Sequence, residues 1–297
     1  MENKTAFIFP AFITEFTSNE LEFLQQNLVD FNSYLNKISV AININIPEFN
    51  YDSNDYLENE LYSQLLAYTF SCAFNDILNS KSLVPDFIAG YSMGIYASLY
   101  AAKSINFEEG AELIFKAYHL VEELSQTGEY SMGAIIGLSI QDIEALIKKN
   151  SSVEIININN EHSQVIAGKK DQVILTLNKA KEEGAISTTE LTVNAPYHSK
   201  FLLEYAEAFA EYIDAMQINP PETPIISTFD QRIITNAEDI KLELVFNLTQ
   251  KISWYDTMIN LIENGVTEMY ECGAGKDLKK ISRFIKGDYK IKSIYKI

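Results

Sequence analysis

The sequence predicts an α/β fold in which a large domain is interrupted by a small one. Three observations carry this. Short apolar runs bounded by turn residues alternate along the chain with segments of helical apolar spacing. Between residues 130 and 190 the order tightens to strand, helix, strand, strand, helix, strand, the βαββαβ pattern of a ferredoxin-like unit. The 297 residues are 47% hydrophobic and 12% aromatic, with charges mixed throughout, which suits a sizeable core and argues against disorder.

The elements follow in order. "AFIFPAFI" (6–13) holds a first buried strand at 5–9; it is broken by Pro10 and too short for a signal peptide or membrane span. Residues 58–80 have helical spacing, and "VPDFIAGYS" (84–92) is a strand entering a turn. Asn106 is a fitting N-cap for a helix over 107–126, and Gly128 ends it. The small unit then runs as strand 132–138, helix 140–150, strands 153–159 and 163–168, helix 170–185 and strand 186–193. We therefore expect a large α/β domain made of 1–129 and 191–297, with 130–190 inserted as the ferredoxin-like subdomain.

A net charge of −18 argues against nucleic acid as a partner. The charge is uneven. From Lys276 onward, eight basic residues face only Asp277 and Asp288, a tail of +6 on a remainder of −24. That tail is either a solvated surface or a docking patch for an acidic partner. Cys72 and Cys272 have neither metal-ligand nor disulfide-framework spacing, and the three histidines are dispersed. No metal or redox cofactor is implied, and a reducing cytoplasm is the expected setting.

The chemistry centres on Gly90-Tyr91-Ser92-Met93-Gly94, a G-x-S-x-G placed after a strand and before a helix. This is the setting of a nucleophile elbow, as in α/β-hydrolase-like domains: the glycines allow a sharp turn that lifts the serine hydroxyl clear of the sheet. Ser92 is the candidate nucleophile, and the Met93 backbone N–H is a candidate oxyanion donor at the start of the helix. The competing reading is a tight turn with an inert serine. A general base is needed, and histidine is the usual one. His119 lies within a helix and His162 in a turn of the small unit, whereas His198 sits in the junction loop "NAPYHSKFL" and is the favoured partner.

Read together and in order, "FIFPAF", "GYSMG", "GAIIGL", "PYHS", "KISWYDTM" and "YECGAGKDL" resemble malonyl-CoA:acyl-carrier-protein transacylases and the acyltransferase domains of fatty-acid and polyketide synthases. The resemblance implies a Ser-His dyad in which Ser92 takes an acyl group from a thioester and His198 acts as base, then acid. It places the carbonyl that orients the histidine around Gln250–Ile252. The implied partner is acyl carrier protein, with acyl-CoA as a further acyl donor. The phosphopantetheine thioester is the substrate arm and no other cofactor is implied. Lys276, Lys279, Lys280 and Arg283 become the candidate carrier-docking residues, and "NINNEHSQ" a candidate wall of the cleft.

The departures bear on substrate. The family's glutamine near the oxyanion site is replaced, with Ala11 and Phe12 there; Tyr91 stands for the usual histidine before the serine, and Ile95 for an acidic residue. The arginine that binds a malonyl carboxylate about 25 residues after the serine falls at Ala117, between Lys116 and Tyr118, and no arginine occurs before Arg232. A planar two-donor fork is what a desolvated carboxylate needs, so poor use of malonyl is expected. An apolar acyl chain against Phe12, Tyr91, Ala117 and Tyr118 suits the site better. An arginine-free Ser-His site resembles the trans-acting acyl hydrolases of bacterial polyketide assembly lines, which release acyl groups from carrier proteins. Hydrolysis is the leading expectation. A transferase loading an uncharged or unusual acyl group is the alternative, and a non-catalytic binding module the second alternative.

Overall fold

A computed structural model describes residues 3–12, 18–51, 53, 56, 59–148, 151–193, 195–292 and 294–297. The first strand, β1 (Lys4–Phe9), is followed by helices α1 (Ser18–Gln26), α2 (Phe31–Ala41) and α3 (Glu60–Ser80). Then come β2 (Phe87–Gly90), α4 (Gly94–Ala101) and α5 (Phe107–Thr127). The middle of the chain is β3 (Tyr130–Ile136), α6 (Ile140–Ile147), β4 (Val153–Asn160), β5 (Ser163–Lys169), α7 (Lys170–Glu182) and β6 (Ser187–Glu190). After α8 (Leu203–Asp214) come the short strands β7 (Ile225–Ile226) and β8 (Ile233–Ile234), α9 (Ala237–Thr249) and β9 (Ile252–Ser253). The chain closes with α10 (Trp254–Glu263), β10 (Val266–Glu271), α11 (Asp277–Ser282) and β11 (Lys290–Lys292).

Six strands form the large sheet in the order β11-β10-β1-β2-β7-β8, all parallel except the β7–β8 pair. Successive side chains of β1 pass to opposite faces, as a strand's two-residue period requires. Phe7 and Phe9 join a core with α2 to α5, while Ala6 and Ile8 join a second layer with Trp254, Met258 and Leu261 of α10. Helices on both faces explain why β2 is apolar throughout rather than alternating.

The second sheet has the order β6-β3-β5-β4, antiparallel at every step, which is the ferredoxin-like arrangement; β9 adds itself in parallel to β4. One face is covered by α6 and α7, whose Ile143 and Val173 share a core with Ile135 and Ile166 of the sheet. The other carries Met132, Ile156, Val165 and Ala167 against Leu191, Val193 and Tyr197. The α/β architecture agrees with the sequence expectation, and the small differences lie at element ends. The strand expected over 132–138 stops at Ile136 because Gly137 has φ 104°. The helix expected to 185 stops at Glu182, before Gly184 at φ 94°. The helix expected from 58 starts at Glu60 behind the Asn59 cap; residue 58, like residues 149–150 at the end of another expected helix, lies outside the described residues. Asn106 and Glu109 form a reciprocal capping box on α5, which ends at Gly128 with φ 64°.

Trp254 is fully buried in the layer that α10 forms against the large sheet, with its indole N–H donating to Ser282 Oγ at 2.8 Å. Trp254→Ala should destabilise the fold by about 3–5 kcal/mol through the cavity left and the unpaired hydroxyl, measured by urea denaturation.

Candidate active site

The turn expected to be a nucleophile elbow is built by close backbone approach. β2 ends at Gly90, Ser92 takes φ 54°, and α4 starts two residues later. A Cβ on Gly90 would lie 2.4 Å from the Gly94 carbonyl carbon, and one on Gly94 would lie 2.1 Å from the Phe9 carbonyl oxygen. Only glycine fits at either position. The turn is held by Tyr91 N–H on Phe9 O (2.8 Å) and Gly94 N–H on Tyr91 O (2.9 Å). A left-handed backbone at a serine costs about 1–2 kcal/mol, which the surrounding packing must offset.

His198 also has a left-handed backbone, φ 59°. Its N–H donates to Leu248 O at 2.9 Å, and its ring Nδ1 bonds Asn247 O. Both acceptors are last-turn carbonyls of α9, groups that a helix leaves without internal partners. A carbonyl can only accept, so Nδ1 carries the proton and Nε2 presents its lone pair. Nε2 lies 2.6 Å from Ser92 Oγ. The Asn247 side chain closes the loop, its amide donating to Ser92 O at 3.3 Å. The orienting carbonyl thus belongs to Asn247 and not to the Gln250–Ile252 segment, because α9 runs to Thr249 and its free carbonyls end there. Asn247 has no signal in the sequence; its place depends on where the helix ends in space. Burial pushes the imidazole down to about 4, against a smaller opposing effect of the Asn247 carbonyl, so the ring is neutral at pH 7. An imidazole so held can take the serine proton, and the negative end of α9 favours the imidazolium that results.

The pair opens into a cavity of about 140 Å³. That is near the ~150 Å³ of a site that holds one benzene molecule, so the space suits a short acyl group. Phe12, Tyr91, Met93, Ala117 and Tyr118 line it with Ser92 and His198. The small sheet contributes Met132, Asn157 and Val165. Gln64 of α3 and Tyr197 complete a polar stretch of wall that the sequence did not reveal. Among the described residues no lysine, arginine or carboxylate lines the cavity. Lys116 points away, its Nζ 5.5 Å over the Tyr212 ring, and Arg232 is engaged by Asp230 and Asp239.

Tyr91 ties the elbow to the small sheet. Its hydroxyl donates to Asn159 Oδ1 (2.8 Å) and accepts from Asn157 Nδ2 (2.7 Å), and its ring meets Trp254 edge-on at 5.9 Å. Burial pushes its phenol up to about 12, so it stays neutral. Of the "NINNEHSQ" segment, Asn157 reaches the cavity, while His162 sits in the β4–β5 hairpin turn with its N–H on Asn160 Oδ1. His119 pairs with Glu122 on the half-exposed face of α5. Lys276, Lys279, Lys280 and Arg283 lie outside the cavity, exposed on and beside α11. That helix is joined to β4 by Asn160 Nδ2 donating to Ile281 O at 3.0 Å, and Phe284 beside it is 67% exposed. Among the described residues no group of three or more His, Cys, Asp or Glu could hold a metal, and no helix is long and apolar enough to cross a membrane. Cys72 and Cys272 are free and buried.

The acyl transferase domain family matches residues 62–241. The malonyl CoA-acyl carrier protein transacylase of Bacillus subtilis (strain 168) is 31% identical over 226 residues, covering 73% of this chain and 71% of that protein. The solved transacylase of Coxiella burnetii superposes with TM-score 0.89 at 26% identity, covering 99% of this chain and 94% of that one. The same fold, at 23% identity and TM-score 0.89, occurs in a malonyl-transacylase solved in complex with a type II polyketide acyl-carrier protein, with 98% and 96% coverage.

A neutral fluorophosphonate reports directly on the Ser92–His198 pair. With His198 held down to about 4, labelling should stay flat from pH 8 to roughly 5.5 and fall only as the pH approaches 4. A fall centred near 6.5 would mean an unperturbed imidazole. The same depression makes the fold lose stability as pH drops from about 6.5 towards 4, since the unfolded chain takes up a proton that the native site refuses.

Proposed function

The chain belongs to the acyl transferase family, and from that premise we propose that it moves a short, uncharged acyl group from a thioester to acyl carrier protein through an ester on Ser92. The observation that carries this is the 2.6 Å Ser92–His198 contact at the mouth of a cavity with no cation in its described walls. In the proposed cycle His198 Nε2 takes the hydroxyl proton as Ser92 Oγ attacks the thioester carbonyl. The oxyanion forms against the Met93 N–H at the start of α4. As the C–S bond breaks, His198 returns the proton to the departing thiolate. The carrier's phosphopantetheine thiol then attacks the ester by the reverse steps, and Ser92 regains its proton. Phe12 offers no side-chain donor here, which leaves oxyanion binding to backbone groups.

Relatives that act as transacylases support a carrier thiol, rather than water, as acceptor, the reverse of the ranking expected from the missing arginine. Retention of both members of the pair in a productive tautomer speaks against a non-catalytic binding module. The division into 1–129 with 191–297 and an inserted 130–190 is part of this reading, the inserted unit supplying one side of the acyl cavity. So is a cytoplasmic setting in polyketide assembly, in keeping with two buried free thiols and an arginine-free site. Lys276, Lys279, Lys280 and Arg283, with Phe284 among them, are our candidate docking surface. Carrier proteins are acidic, and a chain of −18 needs a local positive patch to meet one.

The deciding assay follows intact masses after mixing the protein with acetyl-, butyryl- or malonyl-CoA and empty carrier protein. Acetyl and butyryl groups should appear on the carrier, and Ser92→Ala should abolish this. Loss of the acyl group to water instead would restore the hydrolase, and a preference for malonyl would overturn the uncharged-substrate reading. Reversing Lys279 and Arg283 to glutamate together should raise the KM for carrier protein roughly tenfold, at the low end of electrostatic steering. Transfer to the small thiol N-acetylcysteamine should stay close to the wild-type rate; equal loss with both acceptors would make these residues structural.

A further inference from the structure

One wall of the cavity has a charge behind it. Gln64, Tyr118 and Tyr197 line the cavity, and all three neighbour Glu60 in the first turn of α3. Gln64 Nε2 donates to Glu60 Oε1 at 3.0 Å, and the Tyr197 hydroxyl donates to the same oxygen at 3.3 Å. Tyr118 feels the charge as well: burial first, then Glu122 and Glu60, hold its phenol up. Glu60 is not needed as a cap, since Asn59 already bonds the Tyr62 N–H at 2.8 Å. It is drawn inward, enough for burial to raise its carboxyl above the ordinary range against the hydrogen bond from Tyr197. Among the described residues no lysine or arginine pairs with it.

The consequence concerns which acyl groups can enter. The charge held behind this wall is negative, and Gln64 and Tyr197 donate to it rather than to an anionic substrate. A carboxylate placed in the cavity would lose its water, find these donors engaged and meet a like charge beyond them. A neutral acyl chain suffers none of this. We propose that Glu60 is a specificity-determining residue that excludes carboxylate-bearing acyl groups from the cavity, so that the site takes neutral ones by repulsion as well as by lack of a cation. This rests on the reading of Ser92 as the acyl acceptor, but it assigns to Glu60 an active part in the choice of substrate.

Two fluorophosphonates test it on the full-length protein, one with a butyl tail and one with a 3-carboxypropyl tail. Each phosphorylates Ser92 Oγ with loss of fluoride, so the labelling rates read cavity selectivity without any carrier protein. The wild type should favour the butyl probe. Glu60→Gln should raise the carboxypropyl-to-butyl rate ratio roughly tenfold, the scale of one like charge roughly 10 Å away, behind the wall, at an effective dielectric constant of about 20. Glu60→Ala, a change readily accepted in a first helical turn, should do the same, which keeps the test decisive if the glutamine variant folds poorly. Tyr197→Phe leaves the carboxylate in place and should keep the wild-type ratio. An unchanged ratio in both Glu60 variants overturns the proposal. So does an equal rise in Tyr197→Phe, which would trace the selectivity to the packing of the wall rather than to charge. The outcome is separable from the transfer reading. A shifted ratio with no acyl group reaching a carrier sinks transfer and supports the role of Glu60, whereas transfer with an unmoved ratio does the opposite.

Discussion

The end of α9 is the constraint on which the site depends. Three groups of Asn247 and Leu248 act together: two carbonyls hold the ring and backbone of His198, and one side-chain amide holds the backbone of Ser92. Ser92, the proposed nucleophile, and His198 come from loops 106 residues apart in sequence, each in a left-handed conformation that would relax if released. A helix end suits the task because its last carbonyls have no internal partners and stand at a fixed spacing. It also needs no acidic third residue. The carbonyl fixes the tautomer, and the negative end of the helix supplies part of the field a carboxylate would.

The same pair is set between two helix termini of opposite sign. Ser92 precedes the start of α4, where N–H groups face outward, and His198 rests on the end of α9. Charge separation during proton transfer therefore runs along a field that already exists. Enclosure sharpens the effect, since a buried imidazole is neutral at rest and the described residues of the walls include no lysine, arginine or carboxylate. The glycines at 90 and 94 belong to this arrangement: their absent side chains let β1, β2 and α4 come together under the serine.

The small sheet is fastened to the site rather than hung beside it. Asn157 and Asn159 grip the Tyr91 hydroxyl from β4, and β9, immediately after α9, pairs with the same strand. Movement of that sheet would disturb the elbow and the end of α9 together. One face of its β-strands is covered by α6 and α7, which leaves the other to close the cavity beside Ser92.

Much of this was legible in the sequence because it depends on local rules. Strand periods, the Asn106 and Gly128 caps and the glycine spacing around Ser92 are written within a few residues of where they act. Ala117 in place of an arginine could be read by counting. His198 stood out among three histidines because its loop was expected at a domain junction and because "PYHS" resembles a segment of the transacylase family. The remainder was decided by contacts between distant segments. Asn247 is one asparagine among many until α9 ends beside residue 198. Gln64 and Glu60 are ordinary helical residues until α3 turns them towards Tyr197. The strand β9, two residues long, has no period to detect and exists only because β4 lies next to it. Local sequence determines what a residue can do, but which groups meet across 50 or 150 positions is settled when helices and sheets pack.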